Sequence, residues 1–215
     1  MIRLLVLFAM TFANAAAAKE VRWRGDFLHR LEALALVQTL NADLLASRSA
    51  TATLERWCGA HHLAAQAKVT AQRVPGPEKS ASAETRARLA VSAEEPLAFR
   101  HVRLMCGDHV LSEADNWYVP ARLTAEMNRL LAETDTPFGK AVAPLAPWRR
   151  TIAARLLWSP LPEGWEAMEP PPAGADVVLP AGLLEHRALL YDADGHPFSE
   201  VDEVYGPELL DFPAP

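Results

Sequence analysis

The spacing of hydrophobic residues changes along the chain, and each spacing predicts one kind of element. Between residues 26 and 46, apolar side chains recur every three or four positions, which predicts a long amphipathic helix. Residues 47–53 interrupt this pattern with hydroxyl side chains that compete for backbone groups. A second helical pattern covers residues 54–64 and starts near Thr51. Two consecutive helices are therefore expected.

Further along the chain the period falls to two, as it does in strands, whose successive side chains point to opposite faces. In the first arm of a predicted hairpin, Arg100 shares a face with Val102 and Leu104, whereas Arg103 points the other way. Pro120, which has no N–H for a ladder, ends the second arm. The predicted strands are residues 68–74, 100–105, 110–119, 148–158, 183–191 and 198–205.

The remaining segments connect or cover these strands. A third helical pattern starts near Thr124 and includes residues 123–131. Residues 78–96 are interpreted as a loop with room for one helical turn, and the density of proline in residues 159–182 excludes a regular element there. Most strands are linked as hairpins. The sequence therefore predicts an α+β fold, with helices packed on an antiparallel sheet of about six strands.

Composition indicates a single globular domain and argues against nucleic acid as a partner. Half of the 215 residues are hydrophobic and 22% are charged, which is enough apolar material for a sizeable core. The formal net charge is -6 and the sequence pI is about 5.6. No basic field is available to hold phosphates.

The N-terminus has the features of an export signal. A cationic start at Arg3 is followed by an apolar run over residues 4–12 and by alanine-rich cleavage sites over residues 13–18. We therefore expect a signal peptide at residues 1–18 and a periplasmic or secreted domain at residues 19–215, which meets the membrane only through that signal. The alternatives are an ordinary amphipathic helix or a misassigned start, which would leave the domain cytoplasmic.

Cysteine and histidine usage does not predict a metal site. Cys58 and Cys106 could pair in an oxidising compartment, although two buried free thiols are the commoner outcome. Cys58, His61 and His62 have helical spacing suited to metal ligands, but no second ligand cluster exists, so structural or surface histidines are expected. The turn at residues 192–196 lacks the length and the distal glutamate of a calcium loop. Neither a metal nor a cofactor is expected.

Arg100 and Glu203 are the candidate site residues. A buried guanidinium costs several kcal/mol unless an anion satisfies it, and Glu203, which shares a strand face with Val201 and Tyr205, is the expected inward carboxylate. The pair suits a small anionic organic ligand, because a guanidinium holds a carboxylate bidentately and a desolvated glutamate suits proton transfer. The alternative is a pair of core-edge side chains whose charged heads reach water.

Five segments of the chain occur in an order that points to a known family. They are Leu44-Leu45 with Ser49-Ala50-Thr51 and Leu54-Glu55, Arg100 to Leu104, Tyr118-Val119-Pro120, Thr136-Pro137-Phe138-Gly139, and Glu203 to Pro207. Together they resemble the chorismate pyruvate-lyase family, whose sheet is related to the UTRA effector-binding domains of bacterial transcription regulators. The resemblance extends over residues 44–210.

This resemblance implies a chorismate lyase-like fold and a reaction. Pyruvate would be eliminated from chorismate, or from a related enolpyruvyl carboxylate, to give 4-hydroxybenzoate without a metal or organic cofactor. By resemblance, Arg100 holds the ring carboxylate, Glu203 is the acid/base, and Phe138 and Gly139 line the pocket. Arg103 is the alternative residue for holding the carboxylate. Ala50 stands where the family has a larger apolar residue, so the pocket would have a different shape there and could hold a different ligand.

Two other classes of function remain open. The first is a non-catalytic periplasmic protein that binds a small aromatic acid on the same fold through Arg100. The second is an exported structural or assembly factor without a small ligand.

Overall fold

An antiparallel sheet of six strands is the central element of the structure, a computed structural model that describes residues 23–212. The strands are, in chain order, β1 (Trp23–Gly25), β2 (Val69–Arg73), β3 (Ala98–Cys106), β4 (His109–Tyr118), β5 (Trp148–Leu156), β6 (Gly174–Val177), β7 (Leu184–Tyr191) and β8 (Pro197–Tyr205). The sheet has the order β2-β3-β4-β8-β7-β5, and every neighbouring pair is antiparallel. The predicted α+β class and sheet are confirmed.

A small second sheet corrects the prediction for the proline-rich segment. Residues 159–182 were expected to contain no regular element, yet β6 lies there and pairs with β1. Gly25 makes this pairing possible, because a Cβ on it would lie 1.8 Å from the carbonyl oxygen of Ala175. The prolines on either side limit β6 to four residues.

Five α-helices accompany the sheet within the described residues. They are α1 (Phe27–Ala46), α2 (Ala50–Ala60), α3 (Ala83–Arg88), α4 (Ala125–Glu133) and α5 (Phe138–Ala141). Capping side chains begin the longer ones: Asp26, Ser49 and Thr124 each accept a hydrogen bond from the backbone N–H three residues later. The first two helices were predicted, but α2 ends four residues early. His62 has a φ of 53°, a left-handed conformation that stops the helix.

The β3–β4 hairpin contains one extra residue. Its turn is formed by Gly107, with a φ of 57°, and Asp108. Met105 pairs with Val110, but Leu104 pairs with Ser112, so Leu111 is a bulge. From this point the register places Arg100 opposite Asn116.

The main core lies between the sheet and the first two helices. Leu40 and Leu44 of α1, and Leu54 of α2, are buried in one cluster with Tyr205 of β8. Fully burying each leucine contributes roughly 1.5–3 kcal/mol. Trp57 joins this cluster and donates a 2.9 Å hydrogen bond to the carbonyl oxygen of Leu209. This packing holds the first turn of α2 above the sheet.

A disulfide joins α2 to β3. Cys58 and Cys106 are bonded, with their Cα atoms 6.5 Å apart, so the expectation of two free thiols is wrong. The packing of α2 against the end of β3 brings the two cysteines within the distance that a disulfide spans.

The predicted signal peptide, residues 1–18, lies outside the described residues. Among residues 23–212, no helix combines the length and the apolar character needed to cross a bilayer.

Candidate functional site

A cavity opens between the sheet and the first turns of α2 and α5. Its volume is about 80 Å³, whereas a single water needs roughly 10–15 Å³. The walls combine apolar residues of β3, β4, β7 and β8 with charged and polar side chains. The cavity is therefore large enough for several water-sized groups, as a small organic ligand would require.

The structure brings five of the six predicted site residues to this cavity. The lining includes Arg100, Glu203, Phe138, Gly139 and Ala50.

Arg103 does not reach the cavity. It lies on the opposite face of β3, where it is exposed, and its Nε donates to Glu113 Oε2 at 3.0 Å. The alternation of the strand explains this separation, because side chains three residues apart point to opposite faces.

Arg100 is buried but poorly satisfied. The residue is 4% exposed, and the one hydrogen bond of its guanidinium within residues 23–212 runs from Nη2 to the Thr136 carbonyl oxygen at 3.5 Å. Its Nε has no partner among those residues. Burial, with additional repulsion from Arg73, lowers the pKa of the guanidinium to about 10. Arg100 still carries its charge at neutral pH, and its donors are available to an anion.

Glu203 is buried on the same face but two strands away from Arg100. Oε1 accepts a 2.8 Å hydrogen bond from the Ser112 hydroxyl, and Oε2 accepts a 2.7 Å hydrogen bond from the Tyr205 hydroxyl. Burial, reinforced by Glu203, raises the pKa of Tyr205 well above its usual value, so Tyr205 keeps its proton and donates. Strands are about 4.8 Å apart, and no ion pair between Arg100 and Glu203 is present among the described side chains.

His186 lies next to Glu203 across the β7–β8 pair. It is buried, and its Nε2 is 2.8 Å from Asn41 Oδ1, whereas its Nδ1 has no partner in the described part of the chain. Burial, followed by repulsion from Arg149, lowers the pKa of His186 to about 4. The imidazole is therefore neutral at physiological pH.

The sequence analysis missed several lining residues, and Arg149 and Asn116 are the polar ones that have a buried atom without a partner among the described residues. Arg149, near the start of β5, donates to Thr151 Oγ1 at 3.0 Å, and its buried Nη2 has no partner within residues 23–212. Asn116 faces Arg100 across the β3–β4 hairpin. A hairpin counted from its turn without the bulge would pair Arg100 with Asp115. The position of Asn116 beside Arg100 could be predicted only from the position of the bulge. The position of Arg149 at the cavity could be predicted only from the order of the strands in the sheet.

Gly139 explains why the Thr-Pro-Phe-Gly segment can form this wall. A Cβ on Gly139 would lie 3.2 Å from Ser49 Oγ and 3.3 Å from Thr51 Oγ1. A Cβ at this position would therefore require Ser49 or Thr51 to shift by a few tenths of an ångström. Glycine thus allows the two helices to meet at the edge of the cavity.

The histidine clusters have structural surroundings. The ring of His61 stacks between Trp57 and Phe212, with ring centroids 4.0 and 4.3 Å away. Asp192, Asp194 and His196 bring potential ligand atoms within 4.8 Å of one another. However, Asp192 Oδ1 accepts the backbone N–H groups of Asp194 and His196 and so closes the β7–β8 turn.

Comparison with known proteins places the chain in a family. No protein-family model matches it. Over 201 residues it is 54% identical to a protein of Sinorhizobium fredii described as "Uncharacterized protein y4mC", and the aligned region covers 92% of this chain and 85% of that protein. The chain belongs to the y4mC family.

Several solved structures are similar to this y4mC-family protein. PhnF from Mycobacterium smegmatis matches with a TM-score of 0.48 and 14% identity, over 76% of this chain and 66% of PhnF. The effector domain of PhnF matches with a TM-score of 0.43 and 14% identity, over 66% of this chain and 82% of the domain. YydK from Bacillus subtilis matches with a TM-score of 0.40 and 14% identity, over 68% of this chain and 61% of YydK. The aligned part is thus less than two thirds of YydK.

Proposed function

We propose that this protein binds a small organic carboxylate in the cavity and that Arg100 is its anchor. The observation that carries the proposal is the state of Arg100, a buried guanidinium with one long hydrogen bond among the described residues. A guanidinium has five N–H donors in a fixed fork. A carboxylate would accept two of them side by side and offset the cost of burying the charge.

The other walls suit an aromatic or otherwise flat acid. The ring of Phe138 lies at the cavity wall near Tyr118 and Phe198, and Leu190 and Val201 add apolar surface. Arg48 and Arg149 add two further positively charged side chains to the lining. A small acid with an apolar body matches this combination of a charged anchor and an apolar wall.

Catalysis is a second candidate, favoured by the position of Glu203. Its carboxylate lines the same cavity as Arg100, and two hydroxyl donors hold it in place. In this proposal Arg100 holds the ring carboxylate of chorismate or a related enolpyruvyl carboxylate. Glu203 then takes the proton from ring carbon C4 as the C3–O bond to the enolpyruvyl group breaks, so the ring becomes the aromatic ring of 4-hydroxybenzoate. Return of that proton to the methylene carbon of the released enolpyruvate gives pyruvate. Neither a metal nor an organic cofactor takes part.

Binding and catalysis are separated by one set of variants. The purified chain from Lys19 would be titrated with 4-hydroxybenzoate by calorimetry and incubated with chorismate, with pyruvate and 4-hydroxybenzoate followed by chromatography. We expect Arg100→Ala to abolish binding and Arg103→Ala, the matched control on the outer face, to preserve it. Glu203→Gln preserves binding in both proposals and stops turnover only in the enzyme. If neither compound binds the wild-type chain, the lyase proposal fails. Carboxylate binding fails, and a structural or assembly role is favoured, if small acids with a donor beside the carboxylate do not bind either.

We also propose that the protein is exported. The disulfide between Cys58 and Cys106 supports this proposal, because structural disulfides persist in oxidising compartments. Cell fractionation of the full chain and of a chain lacking residues 1–18 tests it. Recovery of the full chain in the cytoplasm, with reduced cysteines, would contradict export.

A further inference from the structure

Asn116 presents an unused hydrogen-bond acceptor next to the proposed carboxylate anchor. It lies directly opposite Arg100 in the β3–β4 hairpin, on the same face, and it is 4% exposed. Its Oδ1 is buried without a partner among residues 23–212. Directly opposite residues in an antiparallel pair have Cβ atoms only about 5 Å apart. A buried acceptor therefore adjoins a buried donor group in one cavity.

The orientation of the Asn116 amide is fixed by its other hydrogen bonds. Nδ2 donates to the Ser199 hydroxyl at 2.6 Å and to the Glu200 carbonyl oxygen at 3.1 Å. A carbonyl oxygen can only accept, so the atom that faces Glu200 must be the nitrogen. Flipping the amide would place two oxygens against each other. Oδ1 is consequently the atom left for a ligand.

We propose that Asn116 selects acids that carry a hydroxyl or amino donor close to the carboxylate, that is, 2-hydroxy and 2-amino acids of the aliphatic or ortho-substituted aromatic kind. This inference rests on the proposed binding of a carboxylate by Arg100. With the carboxylate on the guanidinium, a neighbouring O–H or N–H lies beside Asn116 Oδ1. An acid without that donor leaves the acceptor buried and unsatisfied, which is unfavourable.

Glu203 does not substitute for Asn116 in this selection. It lines the cavity two strands from Arg100, and both of its oxygens already accept a hydroxyl donor. A donor at the far end of the ligand would meet Glu203, whereas a donor adjacent to the carboxylate would meet Asn116. A donor adjacent to the carboxylate therefore tests Asn116, and a donor at the far end of the ligand tests Glu203.

Matched pairs of acids test the selection by calorimetry. Mandelate is compared with phenylacetate and anthranilate with benzoate, so that each pair differs only in the adjacent donor. 4-Hydroxyphenylacetate and 4-aminobenzoate carry the donor at the far end and serve as ligand controls. In the wild-type chain we expect roughly 3- to 10-fold tighter binding of the adjacent-donor acid in each pair, as one neutral hydrogen bond provides.

Two variants assign the effect to Asn116. In Asn116→Leu, which keeps the size but has no acceptor, we expect the ratio within each pair to fall to about one. A purely structural loss would weaken both acids of a pair equally and leave the ratio unchanged. Arg103→Ala, on the outer face, should keep the wild-type ratios. If Asn116→Leu fails to fold, the wild-type ratios decide.

Three results overturn the inference. Equal binding within each pair in the wild-type chain contradicts the selection but leaves carboxylate binding by Arg100 intact. Ratios that persist in Asn116→Leu exclude Asn116 as the selecting residue. Failure of every acid to bind the wild-type chain overturns this inference together with the proposed function.

Discussion

Replacing Arg100 by methionine should stabilise the ligand-free protein and abolish the proposed ligand binding. Burial and Arg73 lower the pKa of Arg100 from 12.5 to about 10. Since each tenfold change in proton affinity corresponds to 1.36 kcal/mol, keeping this guanidinium charged in the folded state costs about 3 kcal/mol. Methionine fills a similar volume without a charge. We expect the free energy of unfolding to rise by roughly 1–3 kcal/mol, in the range found when buried charges are replaced by apolar residues.

Thermal and urea unfolding, followed by circular dichroism, measure the effect. For a chain of this length, each kcal/mol corresponds to roughly 2–4 °C in Tm, so Arg100→Met should melt several degrees above the wild type. A ligand at 100 times its Kd then adds about 2.7 kcal/mol to the wild type alone. Ligand addition should therefore remove or reverse the order of stability of the two proteins.

The outer arginine of the same strand provides the control. Arg103→Met removes an exposed ion pair with Glu113, so it should change stability by no more than about 1 kcal/mol and leave ligand binding unaltered. A clear loss of stability in ligand-free Arg100→Met would refute the reasoning. It would mean that the guanidinium is satisfied within the protein and has no need of an anion.

Three further predictions concern the scaffold. The double variant Cys58→Ser/Cys106→Ser should lose roughly 4 kcal/mol of the free energy of unfolding, because the disulfide closes a loop of 48 residues. The loss should appear as a lower urea midpoint. An unchanged midpoint would show that the bond does not constrain the unfolded chain. Arg88→Ala leaves the buried Glu200 carboxylate without its two guanidinium hydrogen bonds, so about 3 kcal/mol should be lost while ligand affinity, measured by calorimetry, stays constant. The folded state lowers the pKa of His186 from 6.5 to about 4, so between these pH values the unfolded chain binds a proton that the folded chain does not. The free energy of unfolding should therefore be unaffected by His186 above pH 6.5 and decrease as the pH drops from 6.5 to 4. Urea midpoints at pH 7 and pH 5 should therefore differ more in the wild type than in His186→Gln.

The sequence was sufficient for the elements that follow a simple period. Buried residues recur every three or four positions in the helix from Phe27 to Ala46 and alternate in the strand around Arg100, so the buried faces of both could be predicted. The strand around Glu203 follows its alternation only in part, because Glu200, on the opposite face, is also buried. The charged pair was placed on inward faces for the same reason. These predictions used only local spacing, which is independent of how the strands are ordered.

What the sequence could not provide depends on contacts between distant segments. The strand β6 exists only because Gly25 allows a close approach to it, and the position of Arg149 in the cavity depends on β5 pairing with β7. The disulfide likewise depends on how α2 packs against β3. None of these contacts leaves a periodic signal in the chain, since each joins residues far apart in sequence.

The bulge at Leu111 controls whether Arg100 can have an internal counter-ion. Without the extra residue, the hairpin would pair Arg100 with Asp115 and turn the acidic side of β4 inward. With it, Asp115 points to the outer face and contacts His101 and Lys79. A single inserted residue thus keeps a carboxylate of the chain itself away from Arg100. In the other register, the Asp115 carboxylate would neutralise the Arg100 guanidinium, and the anionic ligand proposed here would have no free anchor.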